Sequence, residues 1–332
     1  HDPESIEHYA FGDVDGDGKD DCVWFGGGLS VQLSTGAGLG PASNWSGTYL
    51  NNVNAAIILW KLADVNGDGK KDVICGGWKS SGGQFGLWCL ISTGSGFVPL
   101  SGGTTATEIY ADAGSGDFSC LDLNGNLTGS WGLNMNRNAE VSHRVAVGDI
   151  YGDDRDDVLI HRMDGKLRLL INQGAAPFSA ALHDVGAPAV YVWMLDAGWP
   201  WPYPEILGNY GYGASVSMIP CDLNGDGLTD YVWSESYQDI DPATEFPYYS
   251  ASANQGYWAV TSLPGGGFSP KAQISASAWA LNYFTPNGGW RYRESSFAVM
   301  PGDVNGDGLM DFTVLLPDYT APVPGGPTKQ RI

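Results

Sequence analysis

The chain is poor in positive charge, in long apolar runs and in helical periodicity. Only 16 lysines and arginines stand against 37 acidic residues, a net charge of −21 over 332 residues. That balance argues against nucleic acid or an anionic membrane surface as partner. No apolar run approaches the ~20 residues that a membrane-spanning helix needs, so no membrane insertion is expected. No segment sustains a 3.6-residue period, which excludes a helical solenoid. The start His1-Asp2-Pro3-Glu4-Ser5 lacks a signal-peptide pattern, and a leading histidine in place of methionine suggests a processed mature chain or an expressed piece of one. No GxSxG, HExxH, P-loop or dinucleotide fingerprint occurs in a fitting context. The five cysteines, Cys22, Cys75, Cys89, Cys120 and Cys221, show no CxxC spacing, and their odd number leaves at least one outside any internal pairing. Cys75 and Cys89 flank a glycine-rich turn, where either a cross-hairpin disulfide or two buried free thiols would serve.

What is abundant is turn and strand chemistry: 48 glycines, 13 tryptophans and 16 tyrosines, the profile of an all-β chain rich in tight turns. One nine-residue acidic phrase recurs. Asp13 to Asp21 reads DVDGDGKDD, Asp64 to Asp72 DVNGDGKKD, Asp222 to Asp230 DLNGDGLTD and Asp303 to Asp311 DVNGDGLMD. Worn copies stand at Asp149 to Asp157 (DIYGDDRDD) and Asp122 to Ser130 (DLNGNLTGS). More than half of the 37 acids lie in these six loops, so bound cations would remove much of the charge imbalance.

The units around the loops share a grammar. A short apolar strand enters (Tyr9-Ala10-Phe11-Gly12, Lys61-Leu62-Ala63, Val145 to Gly148), and a β-rich strand leaves (Cys22 to Phe25, Val73 to Cys75, Val158 to Ile160). A glycine turn, an alternating strand such as Leu167 to Ile171 and a glycine-rich tail complete the unit. Loop starts are 51, 58, 27, 73 and 81 residues apart. Propeller repeats run at about 40–50 residues, each one four-stranded blade. The expectation is therefore a single all-β domain over residues 1–332, a β-propeller of four-stranded blades. Seven blades fill the length best, with six, or five carrying long insertions, as alternatives. The gap of 27 means either that Asp122 does not start a blade or that a blade there has shrunk.

Within each loop, side-chain oxygens fall at positions 1, 3, 5 and 9, position 7 offers a carbonyl, and the glycine at position 6 permits the sharp turn. Hard oxygen donors in this arrangement suit calcium rather than zinc or copper. The predicted ligands are Asp13, Asp15, Asp17, Lys19 and Asp21; Asp64, Asn66, Asp68, Lys70 and Asp72; Asp222, Asn224, Asp226, Leu228 and Asp230; and Asp303, Asn305, Asp307, Leu309 and Asp311. The lysines and leucines enter through their backbone carbonyls. About four structural Ca²⁺ sites are expected. An EF-hand is rejected, because position 12 carries Trp24, Cys75, Trp233 or Val314 in place of glutamate and strands flank the loop. The worn copies, with Tyr151 and Asp154 or Leu127 and Ser130 at ligand or glycine positions, are expected to hold no tight site.

Strand–DxDxDG–strand repeats resemble the FG-GAP/VCBS repeats of integrin α-subunit propellers and of fungal and bacterial propeller lectins. The resemblance extends over most of residues 8–316 and implies a calcium-containing β-propeller in which the ion knits each blade's first turn. Gly288-Gly289-Trp290-Arg291-Tyr292-Arg293 is similar to the GGWR-type segments that help form sugar pockets in the fungal lectins, which makes Trp290, Arg291 and Arg293 ligand-site candidates.

Two aromatic-rich segments break the repeat pattern. Trp193, Trp199, Trp201 and Tyr203 belong to one, Tyr248, Tyr249 and Trp258 to the other. Flat aromatic faces stack on the C–H faces of sugars, and packing between blades is the competing role. His161-Arg162 with nearby tyrosines offers the base and uronate-neutralising cation of a polysaccharide lyase. The sequons at Asn44 and Asn126 agree with a secreted glycoprotein. The functional expectation is a secreted, calcium-stabilised propeller that binds carbohydrate or glycoprotein, with an extracellular polysaccharide-degrading enzyme and a non-catalytic adhesion scaffold as alternatives.

Overall fold

A computed structural model describes residues 9–26, 28–50, 57–79, 84–113, 117–118, 120–121, 127–128, 144–162, 165–186, 212–213, 218–235, 237–240, 247–249, 256–275, 283–284, 290–291, 299–306 and 310–314. Blade 1 is β1 (Tyr9–Gly12), β2 (Asp21–Phe25), β3 (Leu29–Gln32) and β4 (Ser43–Asn44). Blade 2 is β5 (Ile57–Ala63), β6 (Asp72–Trp78), β7 (Phe85–Ser92) and β8 (Phe97–Pro99), with β9 (Thr107–Ala111) also paired to β7. A short pair, β10 (Cys120–Leu121) and β11 (Leu127–Thr128), follows. Blade 3 is β12 (Val145–Gly148), β13 (Asp157–His161), β14 (Leu167–Ile171) and β15 (Ser179–His183). The chain then runs through β16 (Tyr212–Gly213), β17 (Ile219–Cys221), β18 (Asp230–Glu235), β19 (Tyr237–Ile240), β20 (Pro247–Tyr249), β21 (Gly256–Val260) and β22 (Ala272–Ser275). Of these, β17, β18, β21 and β22 form blade 4, while β16, β19 and β20 make a separate sheet. Two pairs follow, β23 (Tyr283–Phe284) with β24 (Trp290–Arg291), and β25 (Val299–Gly302) with β26 (Asp311–Val314). Neighbours in each blade are antiparallel, and each acidic loop joins a blade's first two strands.

Strand alternation explains how the blades stack. Successive side chains point to opposite faces, and both faces of an inner blade carry apolar residues. In β6, Val73 and Cys75 join Val14, Val23, Val31 and Trp60 in the core between blades 1 and 2. Ile74, one position over, joins Ala63, Val145, Val158 and Ile160 in the core between blades 2 and 3. Ala146, Leu159 and Leu169 meet Met218, Tyr231 and Trp233 between blades 3 and 4.

The acidic loops are themselves linked in series. The N–H at position 8 of one loop donates to the position 1 carbonyl of the loop before it: Lys71 to Asp13, Asp156 to Asp64 and Thr229 to Asp149, each at 2.7 Å. The loops at Asp64 and Asp149 are therefore neighbours, with no blade between them. Asp122 itself lies outside the described residues.

This overturns the expected seven blades. Among the described residues there are four complete four-stranded blades, and β25–β26 repeats only the first two strands of such a unit. Dividing length by repeat size failed because the gaps hold β9, a fifth strand on the blade 2 sheet, and β10–β11, β16, β19–β20 and β23–β24, which lie outside the four-stranded blades. The cross-hairpin disulfide is also corrected. In the register of β6 and β7, Cys75 faces Trp88 and Cys89 faces Ile74, so the two thiols point to opposite faces and into different cores. Both are free and buried, as are Cys22 and Cys221. Burial pushes the Cys75 thiol up to about 12.

Close approach of the loops to the preceding inner strand leaves little room at Gly148. A Cβ there would meet Cγ2, Oγ1 and Cβ of Thr229 at 2.4–2.6 Å. Gly148→Ala is expected to cost about 1–3 kcal/mol by overpacking, and Thr229→Ala to recover only the part due to Oγ1 and Cγ2, since the Cβ at 2.6 Å stays. Urea denaturation of the two single variants and the double variant measures the coupling directly.

Candidate metal centre

Each loop is built by carboxylates that gather its own amides. Asp13 accepts from the N–H groups of Gly16 at 2.7 Å, Asp17 at 3.2 Å and Gly18 at 2.8 Å. Asp64 does the same for Gly67, Asp68 and Gly69 at 2.8, 3.1 and 2.8 Å, and Asp222 takes Gly225 and Gly227 at 2.8 and 2.9 Å. Position 3 accepts from position 5, as in Asp15 to Asp17, Asn66 to Asp68 and Asn224 to Asp226, all at 3.0 Å. Position 5 in turn accepts from position 7, where Lys19 and Lys70 donate at 3.0 Å and Leu228 at 2.9 Å. The chain must turn through left-handed backbone to do this, with φ of 82° at Gly18, a region a side chain disfavours. The worn loop keeps the shape, since Asp154 adopts φ 62° and its N–H reaches Asp149 at 2.9 Å.

Position 9 has a second role, beyond that of a ligand, which the sequence analysis missed. Asp72 is fully buried and accepts Val65 N–H at 2.9 Å on one oxygen and Ser92 N–H at 2.6 Å on the other. Asp21 takes Val14 and Ser34, Asp157 takes Ile150 and Asn172, and Asp230 takes Leu223 and Ser262. Each position 9 carboxylate thus clamps the start of its loop to the end of the blade's third strand, at its last residue (Ser92) or one or two residues past it (Asn172, Ser34, Ser262). The side chains of Ser92 and Asn172 continue the clamp across the blade boundary. Ser92 Oγ donates to the Val14 carbonyl, and Asn172 Nδ2 to the Val65 carbonyl at 2.7 Å. A readable signal existed, a polar residue two before a glycine at the end of the alternating strand: Ser34-Thr35-Gly36, Ser92-Thr93-Gly94 and Asn172-Gln173-Gly174.

The electrostatics follow from burial. It pushes Asp72 and Asp157 up to about 7 each, and raises Asp230 as well. Asp15 is raised first by desolvation and then by the charges of Asp21, Asp17 and Asp13. Position 7 supplies the local cations: Lys19 is paired with Asp17, Lys70 with Asp68 at 2.6 Å, and Arg155 with Asp153. The hydrogen bond from Lys19 lowers Asp17.

The donor set fits a hard divalent cation. Ligand oxygens of Asp13, Asp15 and Asp21 lie within 4.8 Å of one another. A carboxylate oxygen has two lone-pair sites, so one amide bond leaves it free to face an ion. Asp307 and Leu309 lie outside the described residues. Near them, Asp303 accepts Gly306 N–H at 2.6 Å and Asp311 accepts Val304 N–H at 3.1 Å, as in the other loops.

The ligand-site candidates are scattered. Trp193, Trp199, Trp201, Tyr203 and Arg293 lie outside the described residues. Tyr248 and Tyr249 belong to β20, and Trp290 and Arg291 to β24. Trp258 in β21 is half-buried against the core between blades 3 and 4, with the Lys271 ammonium 4.2 Å from its ring centre. That face is occupied by a cation–π contact. His161 and Arg162 are buried, and Arg162 and Arg168 both pair with the fully buried Asp117, to which Tyr110 also donates. Of the two residues that would serve a lyase, Arg162 is thus part of an internal ion cluster, and His161 is buried with its Nδ1 3.0 Å from the Arg162 carbonyl.

Residues 13–75, from the first acidic loop through the exit strand of the second, match the family model of the FG-GAP-like repeat. The described residues form a β-propeller that carries this FG-GAP-like repeat. No curated protein matches it. In this FG-GAP propeller the matched segment contains the first interface of the series, with the Lys71–Asp13 link and the Ser92–Val14 clamp lying on either side of its edge. The position 8 link recurs in blades 3 and 4 and the side-chain clamp in blade 3, while in blade 4 Ser262 Oγ donates to the Thr229 carbonyl of its own loop, so the repeat continues in structure beyond the matched residues.

Proposed function

We propose that this FG-GAP propeller is a calcium-stabilised, extracellular recognition module that binds carbohydrate or glycoprotein. The observation that carries the reading is the division of labour in the chain. The acidic loops are committed to holding turns and joining blades, while Tyr248 and Tyr249 stand on β20, outside the four-stranded sheets, and Trp193, Trp199, Trp201 and Tyr203 cluster in sequence. Recognition residues are disproportionately found on segments that a rigid scaffold carries.

In the calcium reading, the side chains of Asp13, Asp15, Asp17 and Asp21 with the Lys19 carbonyl hold one ion, and the loops at Asp64, Asp222 and Asp303 repeat the set. Calcium would supply positive charge to offset carboxylates that repel one another when folded. The chain's own residues set the turn, since the amides of Gly16, Asp17 and Gly18 already converge on Asp13. The lyase alternative loses support from the burial of His161 and Arg162.

The test is a glycan array probed with the calcium-loaded protein, paired with a uronate-polysaccharide panel followed by ultraviolet absorbance. Selective glycan binding without release of unsaturated products is the expected result. Product release would replace recognition by catalysis, and silence on both would leave the scaffold role.

A further inference from the structure

Three of the acidic loops carry an Asn-Gly pair at positions 3 and 4: Asn66-Gly67, Asn224-Gly225 and Asn305-Gly306. An asparagine before glycine readily loses its side-chain amide, because no side chain on the glycine shields its backbone nitrogen. That nitrogen, stripped of its proton, bonds to the asparagine Cγ, and Nδ2 leaves as ammonia. Water then opens the cyclic succinimide at one of its two carbonyls, which gives an aspartyl or an isoaspartyl residue. All three pairs are exposed to the water that the second step consumes.

The folded loop opposes the first step at both atoms that must meet. Gly67 N–H donates to Asp64 Oδ1 at 2.8 Å, Gly225 N–H to Asp222 at 2.8 Å and Gly306 N–H to Asp303 at 2.6 Å. An amide bonded to a carboxylate gives up its proton less readily, since its anion would form against a negative charge. The carboxamide under attack is held from both ends. Asn66 Oδ1 accepts Asp68 N–H at 3.0 Å, while its Nδ2 donates to Asp68 Oδ2 at 3.1 Å. Asn224 repeats both bonds with Asp226, each at 3.0 Å. Attack needs the glycine proton to leave and the carboxamide to turn, so it competes with every one of these bonds.

The first loop already has the aspartyl product's chemistry. Asp15 stands at position 3 and accepts Asp17 N–H at 3.0 Å, with Gly16 N–H still bonded to Asp13 at 2.7 Å. A direct aspartyl product is therefore compatible with the closed turn. It changes the loop nonetheless, because the Asn66 amide that donates to Asp68 is replaced by a carboxylate facing it as a like charge. The isoaspartyl product lengthens the main chain between positions 3 and 4 and shifts the N–H that position 1 holds.

We infer that Asn66, Asn224 and Asn305 are deamidation sites latched by the position 1 carboxylate of their own loops, and that each reacts from the opened loop. The inference rests on these amide bonds and not on an ion in the loop.

Peptide mapping by mass spectrometry follows the three sites in the full chain held in mildly alkaline buffer. Samples are compared native and in urea, with calcium and with chelator. The native chain is expected to react at Asn66 and Asn224 about tenfold or more slowly than the unfolded chain, the effect of a hydrogen bond to a charged group. Asp64→Ala is expected to speed Asn66 alone and Asp222→Ala to speed Asn224 alone, the other sites serving as internal controls. A variant that unfolds outright speeds all three; Asp68→Ala, which frees only the Asn66 carboxamide, then takes its place and is expected to speed Asn66 alone. Equal rates in native and unfolded wild type overturn the proposal, as do variants that react at the wild-type rate. Acceleration confined to the calcium-loaded samples assigns the protection to an ion and overturns it too.

Discussion

Asp72→Ala is expected to be the most damaging single substitution in the acidic loops, lowering the free energy of unfolding by about 3–5 kcal/mol. The residue is fully buried, and its two oxygens accept Val65 N–H at 2.9 Å and Ser92 N–H at 2.6 Å. Removing them strands two amides, each at about 1–3 kcal/mol. Ser92 also holds the Val14 carbonyl of blade 1, so the loss reaches the interface as well as the loop. Asp72→Asn keeps one acceptor and turns an NH₂ toward the other amide, and an intermediate loss is expected. Urea denaturation with linear extrapolation gives both values. An Asp72→Ala protein as stable as wild type would show that the clamp contributes nothing.

The second large effect is a dependence on pH in protein stripped of divalent cations. Asp72 and Asp157 titrate near 7 in the folded chain because burial disfavours their charged forms, against an ordinary value of 3.8. Below about pH 4 these carboxyls are protonated whether the chain is folded or not. As pH rises from there, the unfolded chain releases its protons first, so folding stability falls, and the fall continues until the folded groups titrate near 7. Each group contributes a loss on the order of a few kcal/mol over that span. The net charge of −21 at neutral pH adds self-repulsion of the same sign. Denaturation of chelated protein at pH 5, 6, 7 and 8 should show a continuous decline, flattened above 7. Stability that instead rises over this range would mean that the amide bonds to Asp72 and Asp157 outweigh their burial.

The repeating loop was legible because its chemistry is local. Nine consecutive residues supply the acids, the glycine for the left-handed turn and the strand-forming flanks, and the family match covers two of its copies. Blade number was not legible in the same way. The 27-residue gap after Asp122 and the long gaps beyond look alike whether they contain blades or additions, and only the link from Asp156 to Asp64 shows which loops are neighbours. Position 9 illustrates a subtler limit. Its acid was read as one more metal ligand, yet its two oxygens also join a loop to a strand end, with Ser92 lying 20 residues away from Asp72 and Ser262 lying 32 from Asp230. Trp258 was read as a surface platform, and its half-buried place under Lys271 depends on a partner 13 residues further on. Pairing of Cys75 with Cys89 failed for a register reason, since a one-residue offset in an antiparallel hairpin reverses the face a side chain occupies.

The most direct measurement of the central claim, that the acidic loops hold calcium and that calcium holds the blades, is a calorimetric calcium titration of chelated protein with a thermal melt at each end point. About four ions per chain are expected, with a melting temperature raised by roughly 10 °C or more on loading. Asp13→Ala should remove one ion from the stoichiometry. No heat of binding, together with a melting temperature that chelator leaves unchanged, would contradict it.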